Sequence, residues 1–107
     1  MKLFTNTTAK FALNARKLDG TRFDVNEIEG AEYTLSDGIA LIKKDLTNGL
    51  AIEYSNNLGY FVLVVTLAPA DLNFTGRARQ QLTYSCCDGN NYAAILRPEF
   101  INVVGRN

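Results

Sequence analysis

The chain of 107 residues has no histidine and no tryptophan, and only two cysteines, two prolines and one methionine. Lacking histidine, it loses the commonest general base, and no Ser–His or Cys–His nucleophile pair can be assembled within it. A structural zinc ion takes about four Cys or His ligands, more than this composition supplies. The two cysteines, Cys86 and Cys87, are adjacent, whereas a redox pair needs two intervening residues. Neighbours on an extended strand also point to opposite faces, too badly aimed to bridge without distortion. The pair reads as the end of a strand, with Cys86 turned inward on the side of Leu82 and Tyr84, and Cys87 outward on the side of Arg77 and Arg79. No metal, cofactor or catalytic residue is expected, and the chain is not expected to be an enzyme.

Charge of one sign is also missing. Eleven basic residues balance eleven acidic ones, so no net field draws the chain to nucleic acid or to an anionic membrane. The start, "MKLFTNTTAKF", lacks the continuous apolar stretch of a secretory signal, which predicts an unexported protein with reduced thiols. The longest apolar run, Tyr60 to Ala70, is interrupted by Thr66 and Pro69 and falls far short of the ~20 residues that span a bilayer. "DGNNYAAILRPE" places Asp88, Asn90 and Glu99 at calcium-loop positions, but Tyr92 takes a ligand place and Ala93 replaces the glycine of the sharp turn. Glycine-rich phosphate loops are absent.

What is present is turn chemistry and alternation. Asp19-Gly20, Asp37-Gly38, Asn48-Gly49 and Asp88-Gly89 are strong turn dipeptides, because glycine takes positive φ cheaply and Asn or Asp tolerates it. Between them the period is mostly two. Phe11, Leu13 and Ala15 share a face, Phe23 and Val25 continue it after the Asp19-Gly20 turn, and Ala31, Tyr33 and Leu35 alternate with polar neighbours. Leu50 to Tyr54 reads as a short strand. "IALIKKDL" fits a strand or a helix, and strand is the expectation here. "YFVLVVTL", residues 60–67, is apolar on both parities and predicts a strand buried on both sides at the middle of the core. Pro69 should end it in a helical turn or crossover.

From Gly76 onward Arg77, Arg79, Gln81 and Thr83 lie on one face, opposite Ala78, Gln80, Leu82 and Tyr84. Gln80 interrupts the apolar side and predicts a place near a rim. Arg97-Pro98 inside the last apolar segment predicts a bulge, strand switch or edge. The whole reads as one all-β domain, residues 1–107, of about seven or eight strands. Arg77, Arg79, Gln81 and Thr83 form the candidate interaction face, since arginine is enriched at interfaces.

The order of the segments resembles small immunoglobulin-like domains of tailed-bacteriophage structural proteins, of the upper-baseplate or tail-fibre-adaptor type. "VVTLAPADLNFTGRARQQLTYSC", Val64 to Cys86, looks like that family's step into a strand and turn. "LRPEFINVV", Leu96 to Val104, looks like its closing strand, with Arg97-Pro98-Glu99 where glycine is usual. The resemblance implies an immunoglobulin-like antiparallel β-sandwich. It further implies a virion component made in the host cytoplasm, assembling in the tail, baseplate or head-tail region. Its partners would be other virion proteins and copies of itself in a symmetric assembly, with neither nucleic acid nor membrane. Capsid decoration is a nearby variant. Two rivals remain: a carbohydrate-binding module for host attachment, using Tyr54, Phe74 and Tyr92 near turns, and a carboxylate-dependent hydrolase, whose carboxyl separation sequence cannot supply.

Overall fold

A computed structural model of the chain describes residues 1–22, 24–86 and 88–105. The glycine of each turn dipeptide, at positions 20, 38, 49 and 89, takes positive φ. Around them the alternating segments fold as strands: β1 (Lys2–Phe4), β2 (Ala9–Ala12), β3 (Ala15–Arg16), β4 (Ile28–Ser36), β5 (Leu41–Asp45), β6 (Leu50–Ser55), β7 (Tyr60–Leu67), β8 (Gly76–Cys86), β9 (Asn91–Leu96) and β10 (Phe100–Val104). One-turn 3-10 segments occupy Val25–Glu27 and Pro69–Leu72, the second where Pro69 ends β7. The ambiguous "IALIKKDL" is a strand, because Ile42 enters the core opposite Leu35.

Two sheets face each other. The larger runs β1-β10-β8-β4-β5, with β9 continuing the closing edge beside β8 and pairing with β3. Its pairs are antiparallel except the first, where β1 lies parallel to β10. The smaller sheet is β2-β7-β6, antiparallel throughout. The chain crosses between sheets after β1, after β2, after β5 and after β7. This interleaved arrangement of a three-stranded sheet against one carrying the closing strands is that of an immunoglobulin-like sandwich. Leu63, Val65 and Leu67 of β7 meet Tyr33, Leu35, Leu82 and Ile101 of the larger sheet in one core. The chain's two cysteines are sequence neighbours, so they cannot supply a disulfide from one sheet to the other, and packing holds the described residues of the two sheets together.

A charged tie assists that packing. Lys44, on β5 of the larger sheet, pairs at 2.9 Å with Asp71 of the turn that follows β7. The same carboxylate oxygen accepts the Ala68 N–H at 2.8 Å. Burial alone would raise the Asp71 pKa, but the Lys44 ammonium and the Ala68 N–H hold it below the ordinary value. Gly49 lies against this tie: with φ at +93° and the Lys44 stem where a Cβ would stand, no larger residue fits.

Three expectations need correction. There are ten strands among the described residues rather than seven or eight, because β1 and β3 are short extra pieces and the closing strand is split into β9 and β10. Asp19-Gly20 does not close a hairpin: β3 pairs with β9, and Val25 lies in a 3-10 turn rather than continuing a strand face. Phe23 lies outside the described residues. Gln80 is not at a rim but is 4% exposed. The physical reason is the break at Arg97-Pro98. β8 pairs first with β10, as Arg79 with Phe100, and then with β9, as Leu82 with Ala94, so Arg97, Pro98 and Glu99 have no place in the regular ladder. Gln80 meets the groups this leaves over, its amide donating to the Pro98 carbonyl at 2.6 Å and its carbonyl accepting from the buried Tyr33 hydroxyl at 2.7 Å. Every buried polar side-chain atom described has a partner.

Candidate interaction face

Alternation along β8 sends Ala78, Gln80, Leu82 and Tyr84 into the core and leaves Arg77, Arg79, Gln81 and Thr83 exposed on the outer face of the larger sheet. The four side chains predicted to share a face do share one. Their cross-strand neighbours come from both sides: Glu32, Thr34 and Ser36 of β4 stand opposite Thr83, Gln81 and Arg79, while Asn102 and Phe100 of β10 stand opposite Arg77 and Arg79.

These neighbours change the chemistry of the stripe. The Arg77 guanidinium lies 3.8 Å from the centre of the Phe100 ring, a cation–π contact. Arg79 Nε donates to Glu99 Oε1 at 2.6 Å. Arg77 is thus held by Phe100 of β10 and Arg79 by Glu99 just before it, and Glu32 and Glu99 turn the supposed basic stripe into a mixed-charge surface. Apolar side chains on the same side of the sheet add to it: Phe4 of β1 is 48% exposed, Phe100 38% and Leu41 of β5 58%. Between Arg79, Glu32 and Glu99, with Ile95 and Leu18 alongside, lies a shallow cavity of about 430 Å³.

Sequence reasoning missed Phe100, Glu99, Phe4 and Leu41 as members of this face. The alternation in "FINVV" does put Phe100 and Asn102 opposite the buried Ile101 and Val103. Only the strand order, with β10 between β1 and β8, brings them beside the arginines.

The three aromatics expected near turns do not form one platform. Tyr54 of β6 packs edge-on against Phe61 in the smaller sheet, with ring centres 5.2 Å apart. Tyr92 of β9 stacks on Tyr84 in the larger sheet at 5.5 Å. Phe74 is partly buried against the core. At the "YSCCDGNNY" stretch Cys86 is half-buried, and Cys87 lies outside the described residues. Asp88, Asn90 and Glu99 do not gather: the Asp88 carboxylate accepts from the Asn90 N–H and the Tyr92 hydroxyl, while Glu99 is taken by Arg79.

No protein-family model matches the sequence, and no curated protein does. Among solved structures the chain is similar to murine CRIg at 15% identity, over 100% of this chain and 92% of that one, with a TM-score of 0.35. A likeness of that size says nothing about partners, and the immunoglobulin-like description rests on the strand order itself.

Proposed function

We propose that the chain is a non-enzymatic assembly domain that docks on other proteins through the outer face of its larger sheet. The observation that carries this is the combination on that face of exposed Phe4, Phe100 and Leu41 with two arginines already fixed by Phe100 and Glu99. Side chains ordered before contact lose less conformational entropy on binding, and arginine beside aromatic rings is the composition of interface centres. The narrower reading is a virion structural protein of a tailed bacteriophage, placed in the tail, baseplate or head-tail region and present in many copies. It is supported by the sequence resemblance of Val64 to Cys86 and Leu96 to Val104.

The test is association. Light scattering of the purified protein, alone and mixed with phage structural proteins, should give assemblies larger than a monomer, and Arg79→Glu with Phe100→Ala should abolish them while leaving the circular dichroism spectrum intact. A strict monomer that binds neither itself nor virion proteins would remove the proposal. Assemblies unaffected by the double variant would move the contact to another face.

A further inference from the structure

A second concave region adjoins the edge of that face, sharing Leu18 and Ala93 with the cavity there, where the segment before β4 meets the β8–β9 hairpin. It is a groove of about 540 Å³. Tyr84 and Tyr92 form its wall, stacked with 27° between their planes, and Ile28, Ala93 and the half-buried Cys86 continue the lining. Its rim is acidic: Asp19, Asp24, Glu27 and Asp88 stand around it, against Lys17 as the one cation among the described lining residues. In a chain with a formal net charge of zero, four carboxylates to one amine is a local segregation of charge.

The nearby basic residues face elsewhere. Arg22 lies with its guanidinium 3.9 Å from the centre of the Tyr60 ring, lining a different cavity with Leu58 and Phe61. Arg16 and Arg97 border another. The Asp19 carboxyl is held below its ordinary pKa by the Thr21 hydroxyl and N–H, and Asp88 by the Tyr92 hydroxyl and the Asn90 N–H, so both are anionic at neutral pH. Among the described residues no three metal-donor side chains converge on one point. The negative charge is spread around an aromatic wall rather than focused for a hard cation, whose oxygen ligands must gather closely.

The geometry points to a docking groove for a basic side chain, arginine foremost, presented by a partner protein. The alkyl stem and guanidinium plane would lie along the exposed Tyr92 ring, which rests on the buried Tyr84, and the rim carboxylates would meet the charge. Arginine suits this better than a compact ammonium, because its guanidinium is planar, stacks on aromatic faces and is weakly hydrated. The groove does not depend on the sheet-face reading, since Arg79 and Phe100 take no part in its lining.

Titration with N-acetyl-arginine methylamide, followed by amide chemical shifts of the ¹⁵N-labelled protein, tests it. Saturable shifts are expected at Ile28, Tyr92 and Ala93, weakening as salt is raised because the rim is solvent-screened. The isosteric N-acetyl-citrulline methylamide, which lacks the charge, should bind at least tenfold more weakly. Asp24→Asn with Glu27→Gln, which keeps shape and the Asp24 turn, should weaken arginine binding by a similar factor, whereas Glu32→Gln on the sheet face should leave it unchanged. Unsaturated shifts, equal binding of the citrulline compound, or equal loss in the Glu32→Gln protein would each overturn the assignment. Arg79→Glu with Phe100→Ala should leave the titration as it was, which separates failure here from failure of the sheet-face reading.

Discussion

β7 and β8 are the central strands of their respective sheets, yet their outer sides differ. On β7, Val62 and Val64 are buried although they point away from the core shared with the larger sheet. The Lys10–Glu53 pair, 3.2 Å apart, joins the strands on either side of β7 over this surface, so the smaller sheet covers its own outer face. On β8, the corresponding positions are Arg77, Arg79, Gln81 and Thr83, all exposed, beside Phe100 and Phe4. The outer side of β7 is closed over at Val62 and Val64, whereas that of β8 and its neighbours presents polar and aromatic groups. The difference is written in the sequences, since "YFVLVVTL" is apolar on both parities and "GRARQQLTYSC" on one.

Four measurements break or sharpen this contrast. The inner side of β7 should carry the largest stability. Leu63→Ala empties part of the core and is expected to cost about 3 kcal/mol in chemical denaturation, while Arg77→Ala on the outer side of β8 should change stability by less than about 0.5 kcal/mol. Equal effects would erase the distinction between the strands. Gln80→Leu should come next, at about 2 kcal/mol, because it leaves the Pro98 carbonyl and the Tyr33 hydroxyl buried without their partner. A neutral result would mean that the break at Arg97-Pro98 can find other hydrogen bonds.

Asp71→Asn should cost about 1 kcal/mol at neutral pH, the tie to Lys44 being partly screened by solvent. The sign with pH follows from the depressed pKa. The contribution is complete above the ordinary value of 3.8 and is lost as pH falls through the lower folded value, so the variant's deficit should shrink on acidification below about pH 4. Smallest of all, Lys10→Ala should shift stability by about 0.5 kcal/mol or less, since both members of the pair are well exposed. A larger loss would show that the aliphatic stem of Lys10 covers Val64 more than its charge holds Glu53.

The elements were largely legible in the residues, and their partners were not. β7 begins and ends where the apolar run does, the turn at Pro69 follows from its missing N–H, and the break at Arg97-Pro98 was visible as a proline inside an apolar segment. All four dipeptide turns hold glycine at positive φ, yet only Asp37-Gly38 and Asp88-Gly89 join strands that pair with each other. Asn48-Gly49 hands the chain from one sheet to the other. Turn propensity acts over a few residues, whereas pairing is decided by contacts distant in the chain, as between β1 and β10. The same limit explains Gln80, whose burial makes sense only once the Pro98 carbonyl is next to it. It also explains the candidate face: the arginine stripe could be read along β8, but Phe100 and Glu99, which hold the arginines, come from the neighbouring strand and the segment leading into it.

The tie between Lys44 and Asp71 links the larger sheet to the turn that closes β7, a connection between sheets that other sandwiches of this kind make with a disulfide elsewhere. A link made of charge and hydrogen bonds forms as the chain collapses and needs no electron acceptor. The two sheets should therefore mature equally well with or without an oxidant, and a strong reductant should leave the unfolding midpoint where it was.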